Sequence, residues 1–337
     1  MSLGAYMLMA LTPRDMQQYY VSVYAFTYLS ASHINTVIYH FGTYDLEITT
    51  NTMLLTLRLI ALAFSYQDGG KKPEHLTDRQ KLMAVKELPT PLEMASYTFF
   101  VQQCALGVFF EFRDLKQWAE ESSEYKGVPS PVKPSLKYLG MALTCLVISV
   151  VGTVFFPVAD NWDAEFIANN SLAYRMFYTQ ISIGLKRYFF YTAFLFQTGT
   201  VIASGLGYNG KVKEEDQWDK FVGVYVYDSE TASNANGFLK AWNHRVHIWL
   251  KYYVSERLTG VGGKPKAWHY LVVYCTSAFW HGFYPFFYVA FSMGAMASFA
   301  HKDVYGCWYI FRDIPQQVRT GICIFMTQTI VNYTLVL

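Results

Sequence analysis

Long apolar stretches, separated by five polar connections, run through most of this chain. A helix that crosses a bilayer needs about 20 predominantly apolar residues, and eight stretches come near that length. They are Tyr19–Phe41, Thr52–Tyr66, Met94–Phe112, Leu136–Phe156, Phe177–Leu206, Val246–Leu258, Trp268–Phe299 and Ile314–Leu337. The pattern predicts an all-α, polytopic integral membrane protein with about eight transmembrane or re-entrant helices.

Four of these stretches have unusual lengths. Thr52–Tyr66 and Val246–Leu258 are short, so we expect re-entrant or tilted helices, or helices buried in protein. Phe177–Leu206 and Trp268–Phe299 are long, and we expect both to be broken or bent, the second near Gly282 and Pro285.

Composition supports a membrane protein. The chain is 53% hydrophobic and 15% charged, whereas a soluble domain has about 25% charged residues. The net charge is +2 and the sequence has no dense basic stripe, so a nucleic-acid partner is not indicated. We find no internal repeat and interpret residues 1–337 as one integral membrane domain. The polar connections are Gln67–Pro91, Asp114–Ser135, Ala159–Arg175, Gly207–Gly237 and Thr259–Ala267.

Cysteine spacing and short processing motifs add little. The five cysteines form no CxxC pair, which argues against a zinc site or a disulfide framework. The apolar patch Leu3–Leu11 has no basic n-region before it and no convincing cleavage site, so we do not interpret it as a signal peptide. Glycosylation sequons begin at Asn169 and Asn332, and their use depends on which side faces the lumen.

Several catalytic motifs can be set aside. Gly205–Gly210 matches G-x-G-x-x-G but follows a long apolar stretch rather than a strand, so a glycine-rich helix exit is favoured over a dinucleotide site. His40 and Asp45 match the His-x4-Asp pattern of soluble-type glycerolipid acyltransferases, whose α/β core this chain lacks. No G-x-S-x-G elbow or P-loop is present. His244 and His247 lack the third ligand that a metal site needs.

One histidine deep in an apolar stretch carries the main functional hypothesis. His281 lies inside Ser277–Tyr288, and an ionisable residue within a membrane segment indicates a functional site. The alternative is a core histidine that has found a carbonyl partner. The polar pair Trp242-Asn243 precedes it by about forty residues.

These segments together resemble the membrane-bound O-acyltransferase (MBOAT) family, and within it the lysophospholipid acyltransferases. The resemblance is carried by Trp242-Asn243, Trp249-Leu250 and Trp280-His281-Gly282. Arg187–Gly210, Met53–Gly69 and Pro91–Asp114 extend it over roughly residues 40–300. The chain departs from the subfamily at Gly107-Val108, where a Gly-Pro pair is common. It also looks short at both ends, so either terminal helices are missing or the copy is divergent.

The resemblance implies transfer of a fatty acyl group from acyl-CoA to the free hydroxyl of a lysophospholipid, in a multi-pass protein of the endoplasmic reticulum membrane. Acyl-CoA is then a co-substrate, and no cofactor or metal is implied. His281 is the expected general base. Asn243 is expected to orient His281 or the hydroxyl, or to polarise the thioester carbonyl.

The resemblance also implies substrate-binding residues. Trp242 and Trp280 flank the expected catalytic residues. Lys186, Arg187, Arg245 and Lys251 are candidates for the CoA phosphates, with snorkelling interface anchors as the alternative.

Two other functions remain open at this stage. One is an acyltransferase of the same superfamily that uses a sterol, a diacylglycerol or a protein serine as acceptor. The other is a non-catalytic membrane transporter or scaffold, although we find none of the internal symmetry that is typical of transporters.

Overall fold

The structure is a computed structural model that describes residues 1–41, 49–100, 108–306 and 312–336. The predicted all-helical class is confirmed. The α-helices of the described residues are α1 (Ser2–Leu11), α2 (Gln17–Tyr39), α3 (Thr49–Asp68), α4 (Asp78–Met83), α5 (Pro91–Thr98), α6 (Phe112–Ala119), α7 (Val132–Phe155), α8 (Ala164–Asn169), α9 (Leu172–Ala203), α10 (Val226–Glu230), α11 (Ala235–Ala241), α12 (His244–Trp249), α13 (Glu256–Thr259), α14 (Ala267–His281), α15 (Pro285–Gly306) and α16 (Gln316–Val336).

Shorter elements connect these helices. A π-helical turn, Leu250–Ser255, joins α12 to α13. Strands β1 (Lys211–Val212) and β2 (Glu215–Asp216) pair antiparallel, with Lys211 opposite Asp216. Single 3₁₀ turns are found at Pro73–His75, Ser123–Tyr125 and Val158–Trp162.

Helix α7 is the clearest membrane-spanning element. Among the described residues it is the one helix that is both long and apolar enough to cross a bilayer, with 24 residues and a mean hydropathy of 2.1. Its outer face exposes large apolar side chains such as Leu143, Val147, Val154 and Phe155, a surface suited to lipid. The predicted count of eight spanning or re-entrant helices is not confirmed.

Helix α9 packs antiparallel along α7. The Ser135 hydroxyl donates to the Gly199 carbonyl oxygen at 2.9 Å near one end of the pair. Near the other end, a Cβ added to Gly152 would collide with the Leu185 side chain. Small residues at these contacts let the two backbones approach closely, as is usual for helices that pack within a membrane.

The predicted break in Phe177–Leu206 is not found. Residues 177–203 of this stretch lie in α9, which continues without interruption for 32 residues. At about 1.5 Å per residue, α9 is about 48 Å long, well over the roughly 30 Å of a bilayer core. The excess length is accommodated because α9 extends beyond the end of α7.

The prediction of a spanning helix at Met94–Phe112 is also wrong. Helix α5 ends at Thr98, and residues 108–111 are not helical. This irregular backbone is buried, and protein side chains satisfy its carbonyl groups, which is the condition for such backbone at membrane depth. The carbonyl oxygens of Val108, Phe109 and Phe110 accept hydrogen bonds from Arg58, Arg245 and Tyr97, respectively.

The break predicted near Gly282 and Pro285 is confirmed. Helix α14 ends at His281, and α15 begins at Pro285. Gly282 has a φ of 129°, in the region that favours glycine. The stretch that looked short at Thr52–Tyr66 belongs to α3, which has 20 residues.

Charged side chains connect the polar connections to one end of the helices. We call this end the polar pole and define it by Asp68, Glu111, Glu124, Lys220 and Arg257. Arg257 donates two hydrogen bonds to the Asp68 carboxylate, at 2.8 and 2.6 Å. Tyr253 donates to Glu111 at 2.6 Å. Burial alone would raise the pKa of Glu124, but its bond with the Lys220 ammonium lowers that pKa to about 2, so this pair is ionised at neutral pH.

We expect Gly152→Val to lower the melting temperature of the detergent-solubilised protein by several degrees, because overpacking a close contact costs about 1–3 kcal/mol. Gly140→Val is the matched control: it puts the same β-branched residue into α7, where an added Cβ has nothing within 4 Å. Equal melting temperatures for the two variants would contradict the close packing of α7 on α9.

Candidate active site

Two tryptophans from distant parts of the chain donate hydrogen bonds to the backbone of helix α3. The Trp249 indole nitrogen donates to the Leu57 carbonyl oxygen at 2.9 Å, and the Trp280 indole nitrogen donates to the Met53 carbonyl oxygen at 2.9 Å. A buried indole N–H needs an acceptor, and a helical carbonyl has a second lone pair to offer. The two acceptors are four residues apart, about 6 Å along the axis.

This arrangement brings together the two segments that the sequence singled out. Trp249 ends the helix that Asn243 begins, and Trp280 directly precedes His281. Both indoles lie in one buried cluster with Leu57, and the π-helical turn after Trp249 packs on α14. The two segments that carry Asn243 and His281 are therefore both bound to α3, through Trp249 and Trp280.

His281 is the last residue of α14 and is surrounded by rings. The ring centroids of Phe287 and Phe291 lie 5.6 and 5.1 Å from that of His281, and the Trp280 ring lies 4.8 Å away. Its imidazole makes no hydrogen bond to any residue that the structure describes. The alternative of a core histidine that has found a carbonyl partner is therefore not what this part of the chain shows.

His33 of α2 is a site residue that the sequence analysis missed. Its Nε2 lies 3.0 Å from the Trp280 carbonyl oxygen, and because a carbonyl only accepts, Nε2 carries the hydrogen. This carbonyl is in the last turn of α14, where a helix leaves carbonyl groups unsatisfied. His33 is 5% exposed within an apolar helix, so the reasoning applied to His281 would also have identified it.

His33 contacts the chain on both sides of His281. Its Nδ1 would lie 3.1 Å from a Cβ added to Gly282, and its ring centroid is 5.9 Å from that of Phe283. A larger residue at position 282 would displace His33. This packing explains why a glycine follows His281, in addition to its positive φ.

Asn243 adopts a left-handed conformation with φ 40° and ψ 51°. Asparagine tolerates this region better than most residues. Its backbone carbonyl accepts from the amides of Val246 and His247, which starts α12. Its side-chain amide makes no hydrogen bond within the described residues, so both its donor and its acceptor are open to a substrate.

Arg187 lies where its charge is already neutralised. It is 3% exposed, and its guanidinium donates to Glu230 and to Asn332. Removing one partner of such a buried pair costs about 3–5 kcal/mol. This geometry ties α9 to α10 and α16 and leaves little of Arg187 for a CoA phosphate.

The three other cationic candidates occupy different environments. Arg245 is buried and donates to the carbonyl oxygens of Phe109 and Lys220, at 2.9 and 3.3 Å. Lys186 lies on α9 beside Ser149, Thr153 and Phe189, near the end of the α7–α9 pair farthest from the polar pole. Lys251 is exposed next to Tyr252, and is the most accessible of the four to a phosphate group.

Trp242 and Trp280 differ in their surroundings. Trp280 is 5% exposed and fixed to α3. Trp242 lies in an aromatic cluster that links α9 to α11, and its ring centroid is 5.4–5.9 Å from those of Phe190, Tyr191, Phe194 and Phe238. Both therefore position backbone next to Asn243 and His281.

The set-aside motifs can now be compared with the structure. Gly205–Gly210 follows the long helix α9, not a strand, and Gly205 has a φ of 84° at the helix end, so the interpretation as a helix exit is confirmed. Asp45 of the His-x4-Asp pattern lies outside the described residues. No cluster of three His, Cys, Asp or Glu side chains that could hold a metal ion is found in the described part of the chain.

Comparison with known families resolves the identity of the fold. Residues 34–332 match the sequence profile of MBOAT, the membrane-bound O-acyltransferase family. This chain belongs to the MBOAT family. The resemblance noted from Trp242-Asn243 and Trp280-His281-Gly282 is confirmed, and the protein is a membrane protein.

Curated relatives have related names. Lysophospholipid acyltransferase 6 of Drosophila melanogaster is 30% identical over 302 residues, which cover 84% of this chain and 41% of that protein. The lysophospholipid acyltransferase of Saccharomyces cerevisiae is 31% identical over 273 residues, covering 74% and 44%. Membrane-bound glycerophospholipid O-acyltransferase 1 of Mus musculus is 26% identical over 299 residues, covering 83% and 59%. The chain spans about half the length of these relatives.

Proposed function

We propose that this protein is a lysophospholipid acyltransferase that transfers a fatty acyl group from acyl-CoA to the free hydroxyl of a lysophospholipid. Membership of the MBOAT family and the names of the relatives support the reaction class. One structural observation supports the assignment of the site: the segments that carry Asn243 and His281 are both bound to α3, through Trp249 and Trp280, and both side chains lack hydrogen-bond partners among the described residues.

His281 acts as the general base in this proposal. A hydroxyl group is a weak nucleophile until a base accepts its proton, and a positioned histidine contributes about 10²–10⁴-fold to the rate. The lysophospholipid oxygen attacks the thioester carbonyl while its proton passes to His281. When the carbon–sulfur bond breaks, His281 returns the proton to the CoA thiolate, so the enzyme ends unchanged and no covalent intermediate forms.

Asn243 supplies a hydrogen-bond donor without adding charge. Its amide NH₂ stabilises the oxyanion that develops on the thioester carbonyl, a contribution of about 3 kcal/mol in other enzymes. The left-handed backbone at Asn243 sets the direction of its Cα–Cβ bond in the absence of substrate. The roles of orienting His281 or the acceptor hydroxyl remain alternatives for the same amide.

The two substrates reach the site from different phases. Lysophospholipid arrives within the bilayer, and acyl-CoA arrives from water. Lys251 is our candidate for a CoA phosphate contact because it is exposed, whereas Arg187 and Arg245 donate to protein acceptors. We propose the endoplasmic reticulum membrane as the location.

The first test measures transfer of a labelled oleoyl group from oleoyl-CoA to a panel of lysophospholipids. It uses membranes that contain the wild-type chain, His281→Ala or His75→Ala. We expect label in phospholipid for the wild type and a loss of at least 10²-fold for His281→Ala, because the base is removed. His75→Ala is the matched control, since His75 lies in a polar connection with its side chain 68% exposed.

Near wild-type turnover by folded His281→Ala would refute the role of His281 as base. Label that appears only when sterol, diacylglycerol or peptide acceptors replace the lysophospholipids would keep the family chemistry but refute the proposed substrate class. Measured protein levels and melting temperatures of the variants separate loss of chemistry from loss of fold.

His33 gives a second prediction, as a positioning residue. We expect His33→Ala to lower kcat about tenfold or more with little change in KM for acyl-CoA, because the end of α14 loses the donor to the Trp280 carbonyl. His33→Gln should restore most of kcat, since its amide nitrogen can replace Nε2. Equal kcat loss in both variants, or a change confined to KM, would contradict this role.

A further inference from the structure

The two ends of the α7–α9 helical hairpin differ strongly in basic residues. No Lys or Arg occurs in residues 156–171, the segment that connects α7 to α9, although it contains Asp160, Asp163 and Glu165. The one basic residue in the projecting first turns of α9 is Arg175. The opposite end of the hairpin has a series of lysines before α7, in its first turns and after α9. These are Lys126, Lys133, Lys137, Lys211, Lys213 and Lys220.

This asymmetry orients the hairpin in the membrane. Lys and Arg within about 15–20 residues of the ends of a membrane segment favour the cytosolic side, whereas acidic residues have little influence. Lys and Arg occur in most of the polar connections, so their positions in the sequence alone do not orient the chain. The structure resolves this by showing which connections meet at each end of α7.

The same end of the hairpin also contacts the polar pole. The Trp118 indole donates to the Ser204 carbonyl oxygen, and the Tyr125 hydroxyl donates to the Leu206 carbonyl oxygen. Lys220 pairs there with Asp114 and Glu124. The polar pole and the basic end of the hairpin therefore lie on the same side of the protein.

We propose that residues 156–171 face the lumen and that Asn169 is an acceptor for N-linked oligosaccharide. Asn169 begins an Asn-x-Ser sequon with Ser171, and its side chain is exposed at the end of α8. The proposal concerns orientation and modification, so it does not depend on the proposed acyltransferase activity.

The fold places Asn169 beyond the end of α7. The Tyr178 ring contacts Phe156 at the end of α7, with 5.6 Å between ring centroids. Helix α9 begins six residues earlier, at Leu172, which adds about 9 Å at 1.5 Å per residue. Asn169 precedes this projecting end, where an enzyme working from the lumen can reach it.

The second sequon, at Asn332, offers an internal contrast. Asn332 is 2% exposed. Its side-chain oxygen accepts from Arg187, and its amide nitrogen donates to Gln180. A glycan on this nitrogen would break the buried network, so the folded protein does not present it.

The chemical step requires a lipid-linked oligosaccharide pyrophosphate as co-substrate. The Asn169 amide nitrogen forms a bond to the anomeric carbon of the first sugar and releases one proton to water. The bond between that carbon and the pyrophosphate oxygen breaks, and the lipid pyrophosphate leaves with the bonding electron pair.

The test expresses the full chain in a eukaryotic cell and compares gel mobility before and after peptide-N-glycosidase treatment. We expect the wild type and Asn332→Gln to shift by one glycan, and Asn169→Gln not to shift. Ser171→Ala should lose the shift while keeping Asn169, and Ser171→Thr should retain it, so the result does not depend on a single substitution.

An added sequon on the opposite side gives the matched control. Lys211→Thr completes a sequon at the exposed Asn209, at the basic end of the hairpin. In an Asn169→Gln background we expect this variant to stay unglycosylated. An unshifted wild type, a shift that survives in Asn169→Gln, or a glycan on the Lys211→Thr variant would each overturn the proposal.

Discussion

The candidate site depends on a pair of hydrogen bonds from tryptophan to the backbone of one buried helix. The Trp249 and Trp280 indoles both donate to carbonyl groups of α3, one turn apart. A buried indole N–H without an acceptor costs about 1–3 kcal/mol, so each tryptophan fixes the segment that carries it. Side chains also brace α3: Arg58 donates to the carbonyl oxygens of Tyr97 and Val108, and Gln17 donates to that of Ala63.

The two candidate catalytic side chains differ from the buried arginines around them in their hydrogen bonding. Arg58, Arg187 and Arg245 are buried, and each is bound to protein acceptors. Among the described residues, the Asn243 amide and the His281 imidazole have no such partners. Both side chains are partly exposed, so an open donor and an open base are accessible to substrate, as a reaction site for an uncharged hydroxyl and a thioester requires.

Patterns of neighbouring residues in the sequence predicted the features of the fold and site that depend on local sequence. The apolar stretches gave the helical class, Gly282 and Pro285 gave the break after α14, and Trp242-Asn243 with Trp280-His281-Gly282 gave the family. The remaining features depend on contacts between distant segments, which a single sequence does not reveal. Arg187 meets Glu230 across 43 residues, Arg245 meets Phe109 across 136, and His33 meets Trp280 across 247. The irregular backbone at residues 108–111 was missed for the same reason, because side chains from elsewhere satisfy its carbonyl groups.

The most direct test of the site is an electron cryomicroscopy structure of the protein with an acyl-CoA analogue in which a thioether replaces the thioester. Our account predicts that the thioether sulfur lies between Asn243 and His281, with His33 still bonded to the Trp280 carbonyl. A sulfur bound elsewhere, with Asn243 and His281 facing separate cavities, would contradict the claim that α3 assembles one active site from these two segments.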